Sequence, residues 1–194
     1  NATAGAASFA DVTNNGPQGS INPNQFPISS VALDSSDPTG ATAYVTVMGF
    51  TAPPGSASGP GHVWKTTNFG ASWTDLTANL PDSPVNAVVV DAINGQVYVG
   101  TDVGVFASST SAANWTEVGP VPGPSQSGFL PNVAVTALGI FASGGQQLLR
   151  AATYDRGVWQ FNLVATPDFD LSISNSPPTV VAGHTAAFNG SGSG

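Results

Sequence analysis

Two aspartates in this sequence occupy matching places and are the candidates for catalysis. Residues 101–104 read TDVG and residues 154–157 read YDRG, so that Asp102 and Asp155 each stand just before a strand. Two facing carboxylates about 5–10 Å apart can hydrolyse a glycosidic bond. Their repetition favours a turn role instead, since Asp and Gly are common turn residues. We therefore predict no catalytic residue, with Asp102 and Asp155 as the alternative.

A second group of carboxylates raises the question of a metal. Residues 34–37 read DSSD, and calcium prefers oxygen ligands such as those of Asp34 and Asp37. Asp91 follows a matching apolar run, so the repeat favours a turn-forming role for Asp34 as well. No cysteine is present to supply a thiolate. We predict no metal site and no cofactor, with Asp34 and Asp37 as the residues that would hold a cation.

The composition excludes several classes of partner. The formal net charge is −8, and the three basic residues are Lys65, Arg150 and Arg156. Nucleic acids and anionic membrane surfaces are both bound through clusters of Lys and Arg. No apolar run reaches the roughly 20 residues that cross a bilayer as a helix. We therefore predict no nucleic-acid partner and no membrane span.

Short β-strands are the elements that must position these residues. The chain of 194 residues has 23 Gly and 16 Pro, the two residue types least suited to a helix interior. Val, Thr, Ile and aromatic residues cluster in short runs between them. Regularly spaced tryptophans and aliphatic runs argue against disorder. The prediction is an all-β fold.

An internal repeat divides the chain into units. Three strands carry Val followed by an aromatic residue, at Trp64, Phe106 and Trp159, which lie 42 and then 53 residues apart. The run SWTDL at 72–76 matches NWTEV at 114–118. A four-stranded propeller blade repeats at about 40–50 residues. The sequence thus predicts β-propeller blades of four antiparallel strands.

About three blades fit the chain. The first spans 28–77, with strands near 28–33, 41–48, 61–66 and 71–76. The second spans 85–119, with strands near 85–91, 95–101, 103–108 and 114–118. The third has strands near 133–141, 146–153 and 157–163 and lacks a fourth strand of the Ser-Trp-Thr-Asp kind.

The unfinished third blade raises the question of how a ring would close. Residues 8–13 read SFADVT, a copy of the fourth-strand pattern with Phe9 in place of Trp. Propellers commonly close when one terminus completes the blade begun by the other, and rings have four to eight blades. The chain is therefore part of a longer propeller, or copies associate. We predict that the segment around Phe9 supplies an outermost strand, in its own chain or in a neighbouring copy.

One turn carries a known motif. Residues 66–73 read TTNFGASW, which resembles the Asp-box, or BNR repeat, Ser/Thr-x-Asp/Asn-x-Gly-x-Ser/Thr-Trp. The matching residues are Thr66, Asn68, Gly70, Ser72 and Trp73, and a degenerate copy keeps Ser108 and Trp115. The resemblance covers roughly residues 8–163. It implies a structural box, in which the Asx side chain bonds nearby backbone and the tryptophan packs between sheets.

Families that share this box include sialidases, xyloglucanase-type glycoside hydrolases, sortilin-like receptors and exported bacterial proteins. A sialidase binds a carboxylate with three arginines, and this chain has two, so sialidase activity is excluded for the chain alone. In the exported proteins an immunoglobulin-like domain often follows, and the alternation at 169–173 resembles its first strand. We expect propeller blades over 1–165, then a linker and truncated immunoglobulin-like segment over 166–194.

Three functions are compatible with these observations. The main hypothesis is a non-catalytic module of a bacterial protein, secreted or at the cell surface, that binds a glycan or a protein or takes part in assembly. One alternative is a fragment of a carbohydrate-active enzyme of the xyloglucanase type. Another is a self-assembling surface or filament subunit that exchanges strands with another copy as a homo-oligomer. An acidic cleft would favour the enzyme, and strand exchange would favour assembly.

Overall fold

The protein is all-β. The computed structural model describes residues 9–50, 61–119, 130 and 132–163. Eleven strands, and no helix, occur in these ranges, so within them there is nothing that could cross a membrane as a helix. The strands form three antiparallel sheets, each a meander in which strands consecutive in sequence are neighbours. The predicted fold class is confirmed.

The strand bounds follow the predicted repeat. The first sheet contains β1 (Ile28–Leu33), β2 (Ala43–Val47), β3 (Val63–Thr66) and β4 (Thr74–Asp75). The second contains β5 (Val85–Asp91), β6 (Gln96–Thr101), β7 (Gly104–Ser109) and β8 (Thr116–Glu117). The third contains β9 (Val135–Ser143), β10 (Gln146–Thr153) and β11 (Gly157–Asn162). Strands β4 and β8 are shorter than predicted at both ends, since each begins after the tryptophan of its repeat and ends before Leu76 or Val118.

The sheets pack face to face in chain order, as successive propeller blades do. The first strands of the sheets lie side by side, so that β1 contacts β5 and β5 contacts β9. Successive side chains of a strand point to opposite faces of its sheet, so every second side chain packs into the interface with the neighbouring sheet. The core between the first two sheets is Tyr44, Val63, Leu80, Val85, Val88, Val97, Val99, Phe106 and Trp115. The core between the second and third is Tyr98, Val105, Val135, Leu149 and Ala151.

The N-terminal segment covers the other face of the first sheet without joining it. Ile21 is fully buried there against Val45, Val47, Trp64 and Trp73, with Val12 and Phe26 packed at the edge of the cluster. Residues 9–13 contain no strand. The prediction that the segment around Phe9 adds an outermost strand within its own chain is therefore wrong. The reason is its location, since it packs on the first sheet and the second sheet lies between that sheet and β11.

The third sheet has three strands among the described residues, and β11 forms its edge. The expected division at 165/166 and the immunoglobulin-like segment over 166–194 fall outside the described residues, so both stay predictions. The two ends of the stack differ. The first sheet is covered by the N-terminal segment, whereas Phe141 and Val158 of the third sheet are 45% and 73% exposed.

Candidate functional site

The turn after β3 is held together by the side chains that match the box motif. The Thr66 hydroxyl accepts a hydrogen bond from the Gly70 N–H and donates one to Asn68 Oδ1, both at 2.9 Å. Asn68 Oδ1 also accepts from the Ser72 N–H, and Asn68 Nδ2 donates to Ser72 Oγ, again at 2.9 Å. Gly70 has a φ of 81°, where a side chain is disfavoured. The polar atoms of Asn68 are thus engaged inside the turn, and a structural role for the box stays our prediction.

Each tryptophan that precedes a fourth strand is buried and donates its indole N–H to the segment that leads into its sheet. Trp73 Nε1 lies 2.9 Å from the carbonyl oxygen of Val12, and Trp115 Nε1 lies 2.7 Å from that of Leu76. In the degenerate box, Ser108 Oγ accepts from the Asn114 N–H at 2.8 Å, whereas in the first box the N–H of the corresponding Ser72 is bound by Asn68 Oδ1. The second blade therefore turns at this point without the Asx and Gly of the first.

The two catalytic candidates lie in corresponding turns of neighbouring sheets. Asp102, between β6 and β7, accepts a hydrogen bond from Asn86 Nδ2 at 2.8 Å, and its N–H donates to the Pro84 carbonyl at 3.2 Å. Asp155, between β10 and β11, is exposed and has a φ of 59°, a value typical of tight turns. In the part of the chain that the structure describes, no hydrogen bond joins the two carboxyl groups. Their assignment as turn residues stays a prediction.

The two cation candidates are engaged in local turns. Asp34 Oδ1 accepts from the N–H and hydroxyl of Ser36 at 3.0 and 2.6 Å. Asp37 Oδ1 accepts from the N–H and hydroxyl of Thr39 at 2.9 and 2.6 Å, and its Oδ2 accepts from the Thr42 N–H at 2.9 Å. The bonds from Thr39 first, and then Thr42, lower the pKa of Asp37 to about 2. Over the described ranges, no group of three or more His, Cys, Asp or Glu side chains is arranged to hold a metal ion.

A buried polar contact between the second and third sheets was not predicted. Asp91, 1% exposed, accepts from Gln147 Nε2 at 2.6 Å and from Asn94 Nδ2 at 2.7 Å. Asn94 Nδ2 also donates to Gln147 Oε1 at 2.8 Å. The carboxylate therefore bonds both its own turn and the neighbouring blade. Sequence reasoning missed the partner because it lies 56 residues away, although a Gln in the alternating apolar face of β10 was a usable signal.

The repeated aspartates influence two repeated tyrosines. Tyr44 and Tyr98 occupy corresponding positions on β2 and β6. Burial first, and the negative charge of Asp34 second, raises the pKa of Tyr44 to about 12. Burial and then the charge of Asp91 likewise raise the pKa of Tyr98. Both phenols are therefore neutral at physiological pH and serve as core side chains.

An apolar recess opens between the second and third sheets beside β11. Its volume is about 330 Å³, including space open to solvent. It is lined by Val105, Val118, Leu130, Leu149, Ala151, Trp159, Gln160 and Phe161. The Trp159 indole is held by a bond to the Arg156 carbonyl at 2.9 Å, as that of Trp64 is by the Gly61 carbonyl. No carboxylate lines the recess, so it suits an apolar or aromatic group.

Comparison with known proteins gives weak structural similarity alone. No family model matches the chain, and no curated protein does. The extracellular domain of a hybrid two-component system from B. thetaiotaomicron is 15% identical, with a TM-score of 0.47 over 73% of this chain and 17% of that one. The GH74 xyloglucanase from Xanthomonas campestris is 17% identical, with a TM-score of 0.42 over 71% and 21%. The GH74 enzyme from Niastella koreensis is 18% identical, with a TM-score of 0.37 over 68% and 22%.

This chain thus spans about a fifth of each of these proteins. At such scores and identities the similarity carries nothing about activity, substrate or partners. The function has to be inferred from the residues of this chain.

Proposed function

We propose that this chain is a non-catalytic part of a β-propeller in an exported bacterial protein, where its blades bind a glycan or a protein or join an assembly. The observation that supports the proposal is the set of hydrogen bonds that the carboxylates accept. Asp34, Asp37 and Asp91 accept hydrogen bonds from their own turns, and Asp91 bonds a neighbouring sheet as well. These are the bonds of groups that shape a scaffold.

The alternative of a glycoside hydrolase requires an acid and a base that face each other across a substrate. Asp102 is bonded to an asparagine of its own sheet, and Asp155 belongs to a turn of the next sheet. The recess beside β11 is apolar, and neither carboxylate lines it. A sugar, which presents hydroxyl groups on most of its surface, requires polar partners when it is buried. The described residues therefore support a scaffold or docking role.

Location outside the cell is supported by composition. Lys and Arg number three in total against eleven Asp and Glu, while the surface turns are rich in Thr, Ser, Asn and Gly. Net negative charge favours solubility. A span-length helix is absent from the described ranges. We include secretion or display at the cell surface in the proposal on these grounds.

A hydrolysis assay tests the non-catalytic part of the proposal. The wild-type chain is incubated with xyloglucan and with aryl glycosides beside Asp102→Asn, Asp155→Asn and the double variant. We expect product release at the level of buffer for all four proteins, with urea midpoints that show that the variants are folded. Hydrolysis by the wild type that either substitution abolishes would make the chain an enzyme and overturn the proposal.

A further inference from the structure

We propose that the recess beside β11 is the binding site for an aromatic side chain of a fourth strand. Residues 9–12 of a second copy supply that strand. The inference rests on the proposed function and specifies the assembly part of it. It identifies the occupant of the recess, the register of the exchanged strand and the residues that anchor it.

The first step is that the recess corresponds to the site filled by Trp115 one blade earlier. Trp115 is 4% exposed and belongs to one cluster with Val63, Leu80, Val97, Val99 and Phe106, against which Leu76 packs. The pairings Val99↔Phe106 and Ala151↔Trp159 align the two blades. The corresponding residues of the next interface are Val105, Leu130, Leu149, Ala151, Trp159 and Val118, and all six line the recess. The indole itself has no counterpart among the described residues.

The second step is that residues 9–15 (FADVTNN) align with residues 73–79 (WTDLTAN), and that Val12 contacts the first sheet as Leu76 contacts the second. Val12 O accepts from the Trp73 indole, just as Leu76 O accepts from the Trp115 indole. Asn15 Nδ2 donates to the Gly70 carbonyl at 2.7 Å. The Asn at the matching position, residue 79, also donates to the turn of the next sheet, but three positions further along, to the carbonyl of Trp115 at 2.9 Å. The N-terminal segment thus contacts the first sheet in a way similar to that in which the residues after β4 contact the second sheet.

The same correspondence extends to the acidic residue of the segment. Asp11 Oδ1 accepts from the Thr13 N–H at 2.9 Å, and Asp75 Oδ1 accepts from the Thr77 N–H at 2.8 Å. This contact orients the chain where β4 ends. Residues 11–13 therefore make the turn that follows β4, while the three strands that would precede a fourth strand are absent from that side of the first sheet within the described ranges.

The third step is the exposure of Phe9. Its side chain is 106% exposed, whereas Trp73 and Trp115 at the matching positions are 6% and 4% exposed. An aromatic residue is among the largest apolar groups that a strand can bury. Among the described residues, the chain thus presents an exposed aromatic side chain near one end and, near the other, a recess that no aromatic side chain of a fourth strand fills. Phe9 of one copy can therefore enter the recess beside β11 of another copy.

The register follows from the two complete blades. Trp64 pairs with Asp75 and Lys65 with Thr74, and the second blade repeats this pattern with Phe106↔Glu117 and Ala107↔Thr116. The same register on β11, whose outer edge is unpaired among the described strands, pairs Trp159 with Asp11 and Gln160 with Ala10 of the other copy. Main-chain hydrogen bonds along a sheet edge then supply affinity, and the aromatic in its recess supplies specificity. Val12 O keeps its bond to Trp73 of its own chain, so both sets of contacts form together.

The first test is self-association measured by light scattering over a range of concentrations. We expect the wild type to associate, Phe9→Asp and Ala10→Pro to raise the Kd at least tenfold, and Phe9→Trp to associate at least as tightly. Ile93→Asp, which changes an apolar residue that is 73% exposed in the β5–β6 turn, is the matched control and should associate normally. A wild type that stays monomeric at the highest concentration, or loss of association in Ile93→Asp alone, would overturn the proposal.

The second test checks the register and uses the absence of cysteine from the chain. An equimolar mixture of Ala10→Cys and Gln160→Cys chains should form a disulfide-linked pair on oxidation, because paired strand residues have the Cα separation that a disulfide needs. Ala10→Cys mixed with Gln146→Cys is the control and should not. If the first crosslink does not form, residues 9–12 of a second copy do not occupy the recess. The same conclusion follows if a chain that carries both Ala10→Cys and Gln160→Cys forms the disulfide within a monomer. If the chain is monomeric and hydrolyses no glycan, only this inference is refuted. Glycan hydrolysis that depends on Asp102 or Asp155 would refute the proposed function.

Discussion

The contact between Asp91 and Gln147 gives the sharpest prediction about how the blades are joined. Replacing the amide of Gln147 by the isosteric carboxyl of Glu places an oxygen where Nε2 now donates to Asp91 Oδ1 at 2.6 Å. Both side chains are buried, at 1% and 3% exposure. A buried charge that loses its partner costs about 3–5 kcal/mol. We therefore expect Gln147→Glu to lower the free energy of unfolding at pH 7 by that amount.

Gln147→Ala should cost less, about 1.5–3 kcal/mol, because it removes one hydrogen bond to a charged group and adds no second charge. The penalty of Gln147→Glu should also depend on pH. Two carboxyls in one buried site raise the pKa of one of them above its unfolded value of about 4. The proton-bound form is then favoured by folding, so the penalty should shrink as pH falls from 7 toward 4 and grow again as pH rises.

Urea unfolding followed by tryptophan fluorescence at pH 4 and 7 measures these differences, provided that the m-value is unchanged. Gln146→Glu is the control, since it introduces the same charge at the exposed neighbouring position on β10. If Gln147→Glu and Gln146→Glu unfold at the same urea concentration at pH 7, Gln147 does not bond Asp91 and the reasoning fails.

Two further stability predictions follow from the repeat. The hydroxyl of Tyr44 is buried and has no hydrogen-bond partner in the described part of the chain, so Tyr44→Phe should leave the urea midpoint at pH 7 unchanged or raise it. Because the pKa of Tyr44 is raised to about 12, the wild type should lose stability as pH rises above 10 and the variant should lose less; equal losses would contradict this. Gly70→Ala should lower the thermal midpoint more than Gly40→Ala. Both have a φ above 70°, yet a Cβ at Gly70 would meet Val12 at 2.9 Å and one at Gly40 meets nothing, so equal shifts would refute the close contact.

The elements were predictable because their signals are local. Strands β1, β5 and β10 lie where the apolar runs and their flanking turn residues predicted them. The box turn was also predictable, since its hydrogen bonds join residues at most four positions apart. The two short strands β4 and β8 were predicted too long, because the sequence pattern does not distinguish a strand from the turn that leads into it.

The contacts between sheets could not be predicted in the same way. Ile21 is buried in the centre of the cluster on the outer face of the first sheet, yet it is a single apolar residue in a polar stretch and has no periodicity. The partner of Asp91 and the recess beside β11 likewise depend on residues from different blades. The repeat did indicate which residues occupy equivalent places, and that equivalence is what relates the recess to Trp115.

The sequence by itself determined the all-β class and the blade period, because these follow from side-chain alternation and from a repeat that is visible along the chain. The tertiary structure alone decided that the N-terminal segment lies on the first sheet instead of adding a strand to a sheet of its own chain. It also decided that a recess lies beside β11 where the described residues provide no counterpart of Trp115. Both outcomes depend on which surfaces meet across the stack, and that is set by the summed packing of residues far apart in sequence.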